Sequence, residues 1–145
     1  MVRKIGALFA GMVVLGVVVM TLQQVATLLH PLPAGLDPTN PDDAQALAQH
    51  LTGMPLAAWA LAFLSEVLGA FCGALTAGWL ARDVARGFSG AIVGLALVGS
   101  VMNWTAFEHP TWFIVGQLIA YPLALMAAWA LLAKRPPAEA EGRPA

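Results

Sequence analysis

Long apolar runs broken by brief polar intervals organise this chain. Roughly 20 consecutive apolar residues cross the ~30 Å hydrocarbon core of a bilayer as a helix. Four runs reach that length and predict transmembrane helices over about 5–29, 56–81, 88–107 and 112–133. Tight connections, Arg82-Asp83-Val84-Ala85-Arg86-Gly87 and Glu108-His109-Pro110, join the later runs. Only residues 30–54 make a substantial loop, which opens with helix-stopping Pro31 and Pro33 and passes through the turn-rich LDPTNPDD. Inside it the pattern predicts a short amphipathic helix over about 41–52. Asn40 can cap it, Pro41 suits the first helical position, and Asp42 and Asp43 favour the positive end of its dipole. Ala44, Leu47, Ala48 and Leu51 form an apolar stripe, and Gly53 ends the element.

Within the second run the periodicity also says which way side chains face. Ala62, Glu66, Gly69, Gly73 and Ala77 recur at three and four residues, a stripe of small side chains with one acid in it. Leu61, Leu64, Leu68, Phe71, Leu75 and Trp79 lie on the other side and suit lipid tails. Gly69, Gly73 and Ala77 are therefore expected to pack helices, as are Gly90 and Gly94, a GxxxG pair in the third run. Gly6, Ala10, Gly11 and Gly16 offer similar contacts in the first run, and Pro122 is tolerable inside the fourth.

Composition agrees with a membrane class: 59% of residues are hydrophobic and 10% charged, against about 25% charged in a soluble domain. A chain of 145 residues has no room for a sizeable soluble domain beside the bundle. The reading is one four-helix domain over 1–133 and a disordered cytoplasmic tail, KRPPAEAEGRPA, over 134–145. The net charge of −1 gives no sign of nucleic-acid binding, but its distribution is informative. All seven basic residues (Arg3, Lys4, Arg82, Arg86, Lys134, Arg135, Arg143) fall on one side of a four-helix topology. The positive-inside rule then makes both termini and the 82–87 turn cytoplasmic. Arg3 and Lys4 before an apolar run also fit a signal peptide, but the run is too long and no small-x-small cleavage site follows it. Trp59, Trp104 and Trp112 near outer helix ends, and Trp79 and Trp129 near inner ones, suit an aromatic belt. Cys72, without a disulfide partner, is expected to be a packing residue.

Candidate chemistry centres on Glu66. An acid at that depth costs about 2.5–3.5 kcal/mol on insertion scales and faces protein or water. Depth groups it with Gln23, Gln24, Ser65, Ser100, Asn103 and Gln117 as an intramembrane polar cluster, with one of the adjacent glutamines facing inward. Glu66 and Gln117 hold corresponding depths in the two helical hairpins, a faint parallel repeat. Two readings stand: a polar cavity open to the outer face with Glu66 as a proton or cation site, or a packing lock with no further role. His30, His50, Glu108 and His109 share the outer face, but their spacing is not that of a metal site, and no metal or cofactor is expected. No nucleophile–base pattern or phosphate loop occurs, so an enzyme is not expected.

Several short motifs resemble a family of small bacterial four-helix integral membrane proteins to which no activity is assigned. They are Pro-Leu-Pro-Ala-Gly-Leu-Asp-Pro at 31–38, Leu68-Gly69-Ala70-Phe71 with Gly73-Ala74, Asn103, and Pro110-Thr111-Trp112-Phe113 leading to Tyr121-Pro122. The resemblance covers most of 5–133 and implies a bacterial inner-membrane location. It also implies that the Glu66 position holds a polar residue, often His, instead of a required carboxylate. The expected function is thus a non-enzymatic membrane protein packing through Gly/Ala faces, with itself or as an accessory subunit. A small transporter or channel using the Glu66 cavity is the alternative.

Overall fold

The computed structural model describes residues 2–134, so the expected tail beyond Lys134 lies outside the described residues. Among the described residues the fold is all-helical: α1 (Val2–Leu29), α2 (Ala44–Thr52), α3 (Leu56–Ala81), α4 (Ala85–Ala106) and α5 (Thr111–Ala133). The four longer helices are each long and apolar enough to span a membrane, as in a multi-pass membrane protein. A 3-10 turn at Pro41–Asp43 leads into α2, and the Asn40 side chain accepts the Asp42 N–H at 3.2 Å. Pro55 and Pro110 stand at the N-caps of α3 and α5, where a missing N–H costs nothing.

The third span begins three residues before its expected start, because Arg86 and Gly87 are already helical. Only the turn Arg82–Val84 separates α3 from α4. Arg82 reverses the chain with φ at +48°, in the left-handed region.

Interhelical contacts fix an up-down-up-down arrangement with α3 at its centre. Side-chain atoms added at Gly69 and Gly73 of α3 would meet Val19 and Leu15, and Gly11 and Leu15, of α1, an antiparallel register. Ser89 of α4 donates to the Ala74 carbonyl at 2.8 Å, and a Cβ on Gly78 would meet Ser89 of α4 and Leu132 of α5. Helix α3 therefore buries small residues on more than one side: Gly69 and Gly73 toward α1, and Ala70, Ala74 and Gly78 in the remaining interior. Close backbone approach is what Gly and Ala supply in lipid, where no hydrophobic force draws helices together. On the expected lipid face, Leu64, Leu68 and Trp79 are exposed, but Phe71 and Leu75 pack against the core.

Two groups of small residues with the same sequence pattern have different fates. Gly69, Gly73 and Ala77 are buried in the bundle, as is Gly11. A Cβ on Gly90 or Gly94 would meet nothing within 4 Å, and Gly6 and Gly16 are equally open. The packing expected of Gly90 and Gly94 is thus not made among the described residues. The reason is topological: α4 turns Ser89, Ile92, Val93 and Ser100 inward, and its glycines lie off that face.

Arg3 and Arg82 line one surface pocket and Arg82 and Arg86 another, so the basic side chains gather at one end of the bundle. At the other end His30 stacks on His50 at 4.0 Å, and its Nε2 donates to the His50 carbonyl at 3.0 Å, pinning α2 to the end of α1. In the loop, Asp37 Oδ1 accepts the Thr39 N–H at 2.8 Å and the Thr39 hydroxyl at 2.7 Å. These bonds, the backbone one first, hold the exposed Asp37 carboxyl below its usual range. A depressed carboxyl helps the loop above the ordinary carboxylate range and loses that help as pH falls through the lowered value. Thr39→Val should raise the Asp37 pKa only partway, since the backbone bond remains; an unchanged NMR titration would contradict the assignment.

Candidate functional site

Three helices bring donors to one carboxylate oxygen. Glu66, near the middle of α3, accepts at Oε2 from Ser100 Oγ of α4 at 2.7 Å and from Gln117 Nε2 of α5 at 2.7 Å. Tyr121 Oη of α5 adds a longer bond to the same oxygen at 3.1 Å and lies 2.6 Å from Ser100 Oγ. Two hydroxyl protons serve these three contacts: with the Ser100 proton on Glu66, the single Tyr121 proton is shared between Ser100 Oγ at 2.6 Å and Glu66 Oε2 at 3.1 Å. Gln117 is oriented in turn by Trp104, whose Nε1 donates to Gln117 Oε1 at 3.0 Å. Ser100, Gln117 and Tyr121 are buried, and Glu66 is half-buried.

The other carboxylate oxygen, Oε1, accepts no bond from the described residues and is not sealed in the interior. Glu66 lines a groove of about 450 Å³ between α1 and α4. Met12, Leu15 and Val19 form one wall, Ile92, Leu95, Ala96 and Gly99 the other, and Glu66, Ser100, Asn103 and Tyr121 provide the polar floor. Both walls are mid-helix residues, so the groove runs along the side of the bundle. Met12 and Leu95 are exposed at its edges, and nothing fills the space beside Gly99. The cavity expected to open on the outer face is therefore a lateral groove. Its cause is that α1 packs chiefly on α3 and leaves a gap against the small residues of α4.

The expected polar cluster divides accordingly. Ser100, Gln117 and Glu66 are bonded together, and Asn103 joins them at the groove floor. Asn103 is also tied outward: its Nδ2 lies 3.4 Å from His109 Nε2, while His109 Nδ1 lies 2.8 Å from the Phe107 carbonyl. A carbonyl only accepts, so His109 carries its proton on Nδ1, and Nε2 accepts from the asparagine amide. Ser65 is not in the cluster; it is buried with its hydroxyl on the Ala62 carbonyl of its own helix at 2.7 Å. Gln23 is half-buried and Gln24 exposed, and neither bonds to Glu66, which takes its bonds from α4 and α5. Tyr121 and Trp104 were absent from the expected set. Their signal was spacing, since each stands four residues after a cluster member, Gln117 and Ser100 respectively.

At the histidine end, His109 sits with Trp59 and Phe113, both ring centroids 5.2 Å away, apart from the His30–His50 stack. Among the described residues no three His, Cys, Asp or Glu side chains gather as a metal site. Trp59 is buried in this aromatic cluster and Trp104 is half-buried with its Nε1 on Gln117, whereas Trp79 and Trp112 are exposed. No family model, curated protein or solved structure matches the chain.

Proposed function

We propose that this is a non-enzymatic multi-pass membrane protein that binds a small molecule in the Glu66 groove, as a carrier or as the ligand-binding subunit of a membrane assembly. The observation that carries this reading is the asymmetry of one carboxyl group. Oε2 takes the Ser100 and Gln117 donors and a share of the Tyr121 proton, while Oε1 has no partner among the described residues and Glu66 lines a groove of about 450 Å³. An acid serving only to lock packing would be sealed on both oxygens. The groove volume falls within the ~300–1,000 Å³ of small-molecule sites, and apolar walls with a few convergent polar groups are their usual lining. The basic end faces the cytoplasm by the positive-inside rule, and the family resemblance supports a bacterial inner membrane.

A second reading, an accessory subunit or homo-oligomer, is favoured by Gly90 and Gly94, where an added Cβ would meet nothing within 4 Å. One experiment separates the two. The tagged protein is extracted gently from its native membrane and examined by native mass spectrometry, beside Gly99→Leu and Gly94→Leu. Groove binding predicts a co-purifying small molecule that Gly99→Leu loses and Gly94→Leu keeps. A stoichiometric protein partner lost in Gly94→Leu, with no small molecule, would replace it with the accessory reading.

A further inference from the structure

We infer that the groove takes a lipophilic ammonium ion, which enters sideways from the bilayer between α1 and α4 and places its charged nitrogen against Glu66 Oε1. This rests on the groove being a ligand site and adds the chemistry of the ligand and its route. The floor decides the head group. Its protein donors already converge on Oε2, through Ser100, Gln117 and Tyr121. Asn103 turns its amide nitrogen to His109, which leaves Oδ1 as an acceptor. A ligand reaching the floor therefore meets Glu66 Oε1 and Asn103 Oδ1, and must donate to them. Among the described residues no basic side chain lines the groove, so the ion partner of the acid comes from the ligand.

The walls decide the rest of the molecule. Met12, Leu15, Val19, Ile92, Leu95 and Ala96 offer hydrocarbon on both sides. A bare ammonium would lose its hydration at this depth with no apolar contact in return, whereas an ammonium carrying an aryl or alkyl body buries that body as its charge pairs. Charge-assisted N–H bonds to a carboxylate are roughly twice as strong as neutral ones, so the amine should outcompete an alcohol of the same shape. The route follows from the exposed edge residues. Met12 and Leu95 are 48% and 47% exposed at mid-helix, a position facing lipid.

The test uses the full chain in nanodiscs of neutral phosphatidylcholine, with empty discs subtracted. Phenylbutylamine is the probe, and phenylbutanol is its uncharged counterpart. The wild type should bind the amine about tenfold or more tightly than the alcohol. Glu66→Gln should lose that preference, and Gly99→Leu, which fills the groove from an open position, should weaken both probes. Equal binding of amine and alcohol, both weakened by Gly99→Leu, would overturn the ammonium assignment and leave the groove a ligand site. Binding of neither probe would overturn the inference, and an empty wild type in the native-membrane extraction would overturn the groove reading as well. If Glu66→Gln fails to fold, the amine-to-alcohol ratio in the wild type and Gly99→Leu still decides the matter.

Discussion

Replacing Gly73 by Leu should pry α1 away from α3 and cost about 3 kcal/mol, the upper part of the usual range for overpacking. A Cβ at Gly73 would lie 2.7 Å from the Gly11 carbonyl oxygen, 2.9 Å from Leu15 Cβ and 3.1 Å from Ile92 Cγ2. Two of these neighbours belong to α1 and one to α4, and the nearest is backbone, so the site has no flexible side chain to yield. The same change at Gly94 adds bulk where nothing lies within 4 Å and should alter stability by less than about 0.5 kcal/mol. Thermal unfolding in mild detergent reads the difference. Similar destabilisation at both positions would mean that α4 packs through its glycines, contrary to the structure.

Glu66→Leu should cost about 2–3 kcal/mol. It strips the acceptor from Ser100, Gln117 and Tyr121 at once. Interhelical hydrogen bonds in membranes average about 0.6 kcal/mol each, which gives ~1 kcal/mol for the Ser100 and Gln117 bonds, with a smaller share from Tyr121. The buried Gln117 amide, left unpaired, adds to that. Glu66→Gln should cost under about 1 kcal/mol, because its amide oxygen can still accept the three donors while its NH₂ group faces the groove. Equal losses in the two variants would show that charge, not hydrogen bonding, holds α3 to α4 and α5.

Much of the fold was legible in the sequence because lipid demands long, uninterrupted apolar runs with every backbone group paired internally. The span expected over 56–81 has the bounds Leu56–Ala81. Boundaries failed where charge was taken for a turn: Arg86 belongs to the first turn of α4. Glu66 was identifiable as the odd residue of a small-side-chain stripe, and Gln117 and Ser100 by depth. What the sequence could not distinguish was Gly69 and Gly73 from Gly90 and Gly94. Both pairs have the same spacing, and only the choice of α3 as the central helix buries one and exposes the other. Tyr121 escaped for a related reason, since a tyrosine in an apolar run suits the membrane interface as well as a polar network. The inward line of α5 is Phe113, Gln117, Tyr121, Ala124 and Ala128.

The most direct test of the central claim, that Glu66 keeps one oxygen open to a groove facing the bilayer, is chemical modification in intact membranes. A lipid-soluble carbodiimide is compared with a water-soluble one, and the acylated residues are located by peptide mass spectrometry. The account predicts that the lipid-soluble reagent modifies Glu66, that Gly99→Leu slows the reaction, and that phenylbutylamine protects against it. The water-soluble reagent should modify the exposed Asp37, Asp42 and Glu108 instead. Glu66 left untouched by the lipid-soluble reagent, or modified equally fast in Gly99→Leu, would contradict the account.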